Sequence, residues 1–171
     1  DIKCASAGLK PKAVTVVATI RALRHHGGAP SEEYNTPDLD RVKKGFVNLE
    51  KHLENIKKFQ LVPVVAINSF HSDSEEEVQF VIDRCAELGV KAVKSEGWAK
   101  GGEGTSELAR AVVEAVESGK SDFKQLYDWN LPVKEKIEKI AKEIYGADGV
   151  DYTKEAMIGL RRIEKLGIDH L

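Results

Sequence analysis

The chain has 171 residues, 42% hydrophobic and 32% charged, with a formal net charge of −2 at pH 7. That is enough apolar material for the core of one ordinary domain, and the near-balanced charge gives no reason to expect nucleic acid or an anionic membrane as a partner. No apolar run approaches the ~20 residues of a membrane helix, and Cys4 and Cys85 have neither metal-like spacing nor the density of a disulfide scaffold, so both read as small core residues in a reducing compartment.

The chain begins at Asp1 without methionine or a charged-then-apolar leader, and stops at Ile168-Asp169-His170-Leu171 just after a helical pattern. It reads as a piece of something longer. After a turn at Gly8-Leu9-Lys10-Pro11, residues 13–18 (Ala-Val-Thr-Val-Val-Ala) form a continuous apolar run rich in β-branched side chains. Such a run predicts a strand buried on both faces, as in a parallel sheet. Residues 19–24 follow, then the punctuation His25-His26-Gly27-Gly28-Ala29-Pro30, so that residues 27–37 read as an exposed loop. From 38 to 58, Leu39, Val42, Phe46, Leu49, Leu53 and Ile56 recur three and four apart, which predicts an amphipathic helix capped by Asp38.

Residues 62–67 (Val-Pro-Val-Val-Ala-Ile) predict a second buried strand, with the donor-less Pro63 at its start. The corner Asn68-Ser69-Phe70-His71-Ser72-Asp73 leads into a helix over 74–88 with Val78, Val81, Ile82 and Cys85 inward and Gly89 as its stop. Residues 90–93 predict a third strand, and residues 105–117 a helix burying Leu108, Val112 and Val116. Residues 118–131 read as a connector helix or loop. Pro132 opens a helix with Val133, Ile137, Ile140 and Ile144 inward, and Thr153 caps a last one with Ala156, Leu160 and Ile163 inward, ending near Gly167.

Strand and helix alternate, so the expected fold is α/β, a parallel sheet flanked by helices. Residues 1–131 form the α/β segment with the cleft corners, and residues 132–171 a helical extension of the same domain. Three strands are few for such a sheet, and the rest are expected from a longer chain.

The corner after the third strand is the richest in candidate chemistry. Trp98-Ala99-Lys100-Gly101-Gly102-Glu103-Gly104 joins a strand to a helix, at the carboxyl edge where α/β sheets bind ligands. Its glycines free the backbone, and Lys100 with the amides of the next helix could hold an anion; a simple helix-start turn explains the same residues. It is not a Walker loop, since no Gly-Lys-Ser/Thr follows.

Phe70 and Trp98 follow consecutive strands, so their corners adjoin if those strands pair. Two aromatic faces there could clamp a flat heterocycle, each stack adding about 0.5–1.5 kcal/mol beyond burial; either ring alone could instead fold back onto its helix or close the sheet edge. Asn68 can read a purine edge or hold its loop, and Ser95 and Glu96 can meet a sugar or base or be ordinary loop polars. Thr19 and Arg21 follow the first strand, where Arg21 can face phosphate or carboxylate or simply water. His25-His26 is a weak metal signal, and no metal site is expected.

Several segments in one order resemble the formate–tetrahydrofolate ligase family, also called 10-formyltetrahydrofolate synthetase, from Asp1 to Leu171. They are Asp1-Ile2-Lys3-Cys4 with Gly8-Leu9-Lys10-Pro11, Val17-Ala18-Thr19-Ile20-Arg21-Ala22-Leu23 with His26-Gly27-Gly28, and Asn48-Leu49 with His52 and Glu54-Asn55. Pro63-Val64-Val65-Ala66-Ile67-Asn68-Ser69-Phe70, the Trp98–Gly104 corner, Leu126-Tyr127-Asp128 and Ile144-Tyr145-Gly146-Ala147-Asp148 complete the match. The resemblance is to the central part of a monofunctional enzyme or of the synthetase domain of a C1-tetrahydrofolate synthase.

The resemblance implies a ligase of one-carbon metabolism, serving purine biosynthesis, that phosphorylates formate with ATP and passes the formyl group from formyl phosphate to N10 of tetrahydrofolate. ATP with Mg2+, tetrahydrofolate and a monovalent cation would be its small-molecule partners. Phe70 and Trp98 would sandwich the pterin, and Asn68, Ser95, Glu96, Lys100, Gly101 and Gly102 would line the same cleft; Thr19 and Arg21, after the first strand, are further candidates. It also implies a P-loop NTPase-like architecture, incomplete here because the family's Gly-Lys-Thr-Thr loop is not in these residues, and a homo-oligomer in the cytoplasm, or the mitochondrial matrix of a eukaryote. Ala5 and Ala7 depart from the arginine and serine usual in the family. The isolated chain is expected to be inactive. The alternative is a non-catalytic α/β binding or assembly module.

Overall fold

A computed structural model describes residues 2–168; Asp1, at the head of the first matching segment, and Asp169-His170-Leu171 lie outside the described residues. The chain divides into two compact units, one of Leu9–Phe123, the other of Asp1–Gly8 with Lys124–Leu171.

The first unit is built on a parallel sheet in the order β1 (Val14–Ala18), β2 (Pro63–Asn68), β3 (Lys91–Ser95). Val14 pairs with Pro63 and Ala18 with Ile67; Val64 pairs with Lys91 and Asn68 with Ser95. Pro63 opens β2, as its missing amide requires. With a neighbour on each side, β2 is buried from Pro63 to Ile67.

The helices divide between the two faces. α2 (Ile20–His26), α3 (Leu39–Lys58) and α4 (Glu75–Glu87) enclose the larger core, in which Ile20, Val42, Phe46, Leu53, Val81 and Cys85 meet Val65 and Ile67. α6 (Ser106–Glu117) covers the opposite face with Ala111 and Ala115 against Val64 and Val93.

In this unit the packing differs from expectation at α6 and at β1. α6 buries Ala111 and Ala115 with Leu108 and Val112 at their flanks, while Val116 is 38% exposed; small side chains let the helix sit close to the sheet. β1 is not buried on both faces, since Val16 and Ala18 join the larger core but Val17 is 67% exposed. The reason is position: β1 is an edge of this sheet, and α6 lies on β2 and β3.

The caps follow local chemistry. Asp38 accepts the Arg41 amide at the head of α3, and Ser74 and Glu77 form a reciprocal capping box on α4. α2 and α3 cross closely, because Gly27 and Gly45 lack side chains: a Cβ on Gly45 would lie 1.9 Å from the Leu23 carbonyl oxygen.

The second unit contains α1 (Ile2–Ser6), α7 (Val133–Tyr145) and α8 (Lys154–Leu166). α7 and α8 both end on a left-handed glycine, Gly146 and Gly167. Thr153 caps α8 by accepting the Ala156 amide. Leu160 is buried, but Ala156 is exposed rather than inward, at the first turn where the capping Thr153 is itself exposed. No helix among the described residues is long and apolar enough to cross a membrane.

Candidate functional site

Three corners line the carboxyl edge of the sheet. The corner after β1 carries Thr19 and Arg21, the corner after β2 follows Asn68 and carries Phe70, and the corner after β3 follows Ser95 and carries Glu96 and Trp98. Pairing in register sets Asn68 beside Ser95, and the Ser69 amide donates to the Ser95 carbonyl at 3.0 Å, extending the contact past the strands. The corners bearing Phe70 and Trp98 therefore adjoin.

The first corner reaches the second. The Arg21 guanidinium carbon lies 5.8 Å from the centroid of the Phe70 ring, in cation–π range, and its Nη2 donates to Asn35 Oδ1 at 2.6 Å. Arg21 is thereby held against one face of the Phe70 ring. Thr19 does local work: its hydroxyl accepts the Ala22 amide and caps α2.

The third corner is tightly folded. Trp98 sits in a single helical turn, α5 (Gly97–Lys100), and is 76% exposed, so its ring neither folds onto a helix nor closes the sheet edge. The Glu96 amide donates to the Gly104 carbonyl at 3.0 Å, and a Cβ on Gly104 would lie 2.6 Å from the Glu96 carbonyl oxygen. Gly101, at φ 58° and ψ −139°, takes a backbone conformation that few other residues adopt. The glycines thus close the loop on itself.

The charges at this corner are mutually engaged. Lys100 Nζ donates to Glu96 Oε2 at 2.6 Å, and Lys94 Nζ lies 2.7 Å from Glu75 and 3.8 Å from Glu96. Its bond to Lys100 holds the Glu96 carboxyl below the usual range, and Lys94 adds to this. The amides of Thr105 and Ser106 donate to the carbonyls of Gly102 and Glu103, so those two donors are not free for an anion.

Behind the second corner lies a buried polar lock. Arg24, fully buried, donates from Nε and Nη2 to the two oxygens of Glu77 at 2.8 and 2.6 Å. It also donates to the carbonyls of Tyr34 at 2.8 Å and Ser72 at 3.2 Å. Glu77 accepts in addition the amides of Asp38 and Ser74 and the Ser74 hydroxyl. Burial alone would raise the Glu77 pKa, but Arg24 and these donors outweigh it and hold the pKa at about 2.

Arg24 and Glu77 together thus tie the loop after α2, the head of α3 and the corner after β2 into one piece. Sequence reasoning missed it. The Ser74-x-x-Glu77 spacing of a capping box was the available signal for Glu77, but nothing local separates buried Arg24 from exposed Arg21.

Of the other candidates, His25 shares a 2.6 Å hydrogen bond with the Tyr34 hydroxyl. Cys85 is buried in the larger core, its thiol pushed up to about 11 by burial, whereas Cys4 is half-buried.

The three corners bring residues of three of the matching segments, Thr19 and Arg21, Asn68 and Phe70, and Trp98, to a single edge, and a family model agrees across the sequence. The model described as formate–tetrahydrofolate ligase matches residues 1–171, and the chain belongs to that family.

Proposed function

We propose that this chain supplies the folate-binding side of the cleft in which a formate–tetrahydrofolate ligase formylates tetrahydrofolate at N10. One observation carries the reading: the pairing of Asn68 with Ser95 sets two aromatic corners side by side, with Trp98 76% exposed. Phe70 and Trp98 stack on the pterin, a flat heterocycle suited to two aromatic faces. Arg21 backs one face of the Phe70 ring, and in this reading the guest stacks on the other.

Asn68, Ser95, Glu96, Lys100, Gly101 and Gly102 line the same cleft, and Thr19 and Arg21 stand at its margin. Lys100, paired with Glu96, meets an anion only by exchanging partners. In the whole reaction a formate oxygen attacks the γ-phosphate of ATP and ADP leaves. N10 then attacks the carbonyl of formyl phosphate and inorganic phosphate leaves. ATP with Mg2+, a monovalent cation and further copies of the protein belong to this reading as well.

Titration of the chain with tetrahydrofolate, followed by tryptophan fluorescence, tests the binding role. Quenching that disappears in Trp98→Ala and persists in Trp129→Phe is expected. No response in the unsubstituted chain favours an assembly module that has kept the fold without the ligand. A coupled ADP-release assay tests catalysis: the 171 residues, which include no Gly-Lys-Thr-Thr loop, should release no folate-dependent ADP, and turnover by them refutes that part.

A further inference from the structure

Phe70 stands two residues beyond Asn68, the last paired residue of β2. Its backbone has left the sheet, so its amide must find an acceptor elsewhere. Asp73 provides it. The Phe70 amide donates to Asp73 Oδ2 at 2.8 Å, and the Asp73 amide donates back to the Phe70 carbonyl at 3.0 Å.

The Asp73 side chain is 1% exposed, and its second oxygen, Oδ1, is buried without a hydrogen bond, 3.7 Å from Arg24 Nη2. Burying a carboxylate with one oxygen unsatisfied is costly, and burial pushes the Asp73 carboxyl above its usual range despite the Phe70 amide and Arg24. Capping does not account for the expense, because Ser74 and Glu77 already cap α4. Nor is it needed to balance Arg24, which has both oxygens of Glu77. What Asp73 alone does is hold the Phe70 amide.

We propose that Asp73 is a positioning residue for the folate site: through the Phe70 amide it fixes the backbone from which the Phe70 ring is presented, with Arg21 backing that ring. Phe70 is thus held in its stacking pose before the ligand arrives, and binding does not have to order it. This rests on the reading of Phe70 as a folate-stacking residue.

The substitutions separate the amide contact from the charge. Asp73→Ala removes both the acceptor for the Phe70 amide and the negative charge near Arg24. Asp73→Asn removes the charge and keeps an oxygen for the amide, with an NH2 group in place of the second oxygen. The measurement is tetrahydrofolate affinity by quenching of Trp98 in a Trp129→Phe background, with Phe70→Ala in parallel and the thermal midpoint of each variant.

Asp73→Ala should bind roughly ten-fold more weakly, the size of one charge-assisted hydrogen bond, and Asp73→Asn should recover to within about two-fold of the unsubstituted chain. Weakening in Asp73→Asn equal to that in Asp73→Ala overturns the proposal, because the charge and not the amide contact then matters. Normal binding by Asp73→Ala beside impaired Phe70→Ala also overturns it and leaves the stacking role standing. Normal binding by Phe70→Ala, or no quenching in the unsubstituted chain, removes the stacking role and the proposal with it. If Asp73→Ala does not fold, Asp73→Asn decides: near-normal affinity supports the amide contact and weak affinity refutes it.

Discussion

Arg24 and Arg21 lie three residues apart on one short helix and have opposite fates. Arg24 is fully buried and paired with Glu77, whereas Arg21 is exposed and lies against Phe70. The difference is set by a partner 53 residues away, which is why no local pattern shows it. That the Phe70 and Trp98 corners adjoin was legible, because the two aromatics follow consecutive strands and those strands pair; either ring alone is ambiguous. Asp73 was not legible, since a corner aspartate looks like any turn residue until its burial is seen.

The lock makes a prediction at this scale. Glu77 has a folded pKa of about 2 against an ordinary value of 4.5. Its ionisation therefore contributes stability that is fully present above 4.5 and lost as pH falls toward about 2. The contribution is about 3 kcal/mol. Glu77→Gln leaves Arg24 buried without its counter-charge and should cost about 3–5 kcal/mol at neutral pH. Urea denaturation should show that loss at pH 7 and a much smaller difference from the unsubstituted protein near pH 2.5, since the unfolded chain is by then protonated at this carboxyl and most of the linked contribution is gone. An equal difference at both pH values would mean that the charge is not what stabilises.

Among the elements, periodicity carried far. The stripe from Leu39 to Ile56, the cap at Asp38 and the glycine stops of α7 and α8 stand where residue chemistry puts them. The limits came where one element meets another. α6 packs through alanines because closeness to the sheet counts for more than side-chain size, which a search for large apolar residues does not see. The α2–α3 crossing depends on glycines whose role is the absence of a side chain. Gly45→Ala would drive a methyl to 1.9 Å from the Leu23 carbonyl oxygen. It should destabilise the first unit by about 1–3 kcal/mol or more, since backbone on both sides must move. A chemical-denaturation midpoint unchanged from that of the unsubstituted protein would show that the crossing opens without cost.

For the molecule as a whole, alternation of strand and helix was enough for an α/β fold with a parallel sheet, and strand order then decides which corners become neighbours. The order β1-β2-β3 places Arg21, Phe70 and Trp98 on three successive corners of one edge. Family membership gives the class, formate–tetrahydrofolate ligase, and the sheet brings residues 28 positions apart onto neighbouring corners. The exposed face of Val17 was not legible, because burial on that side depends on which strands a helix covers and not on the strand's own residues.

The most direct measurement is a crystal structure of the chain with bound tetrahydrofolate. The pterin should lie between the rings of Phe70 and Trp98, with Arg21 on the far side of Phe70. A pterin seated elsewhere, or one touching neither ring, would contradict the account.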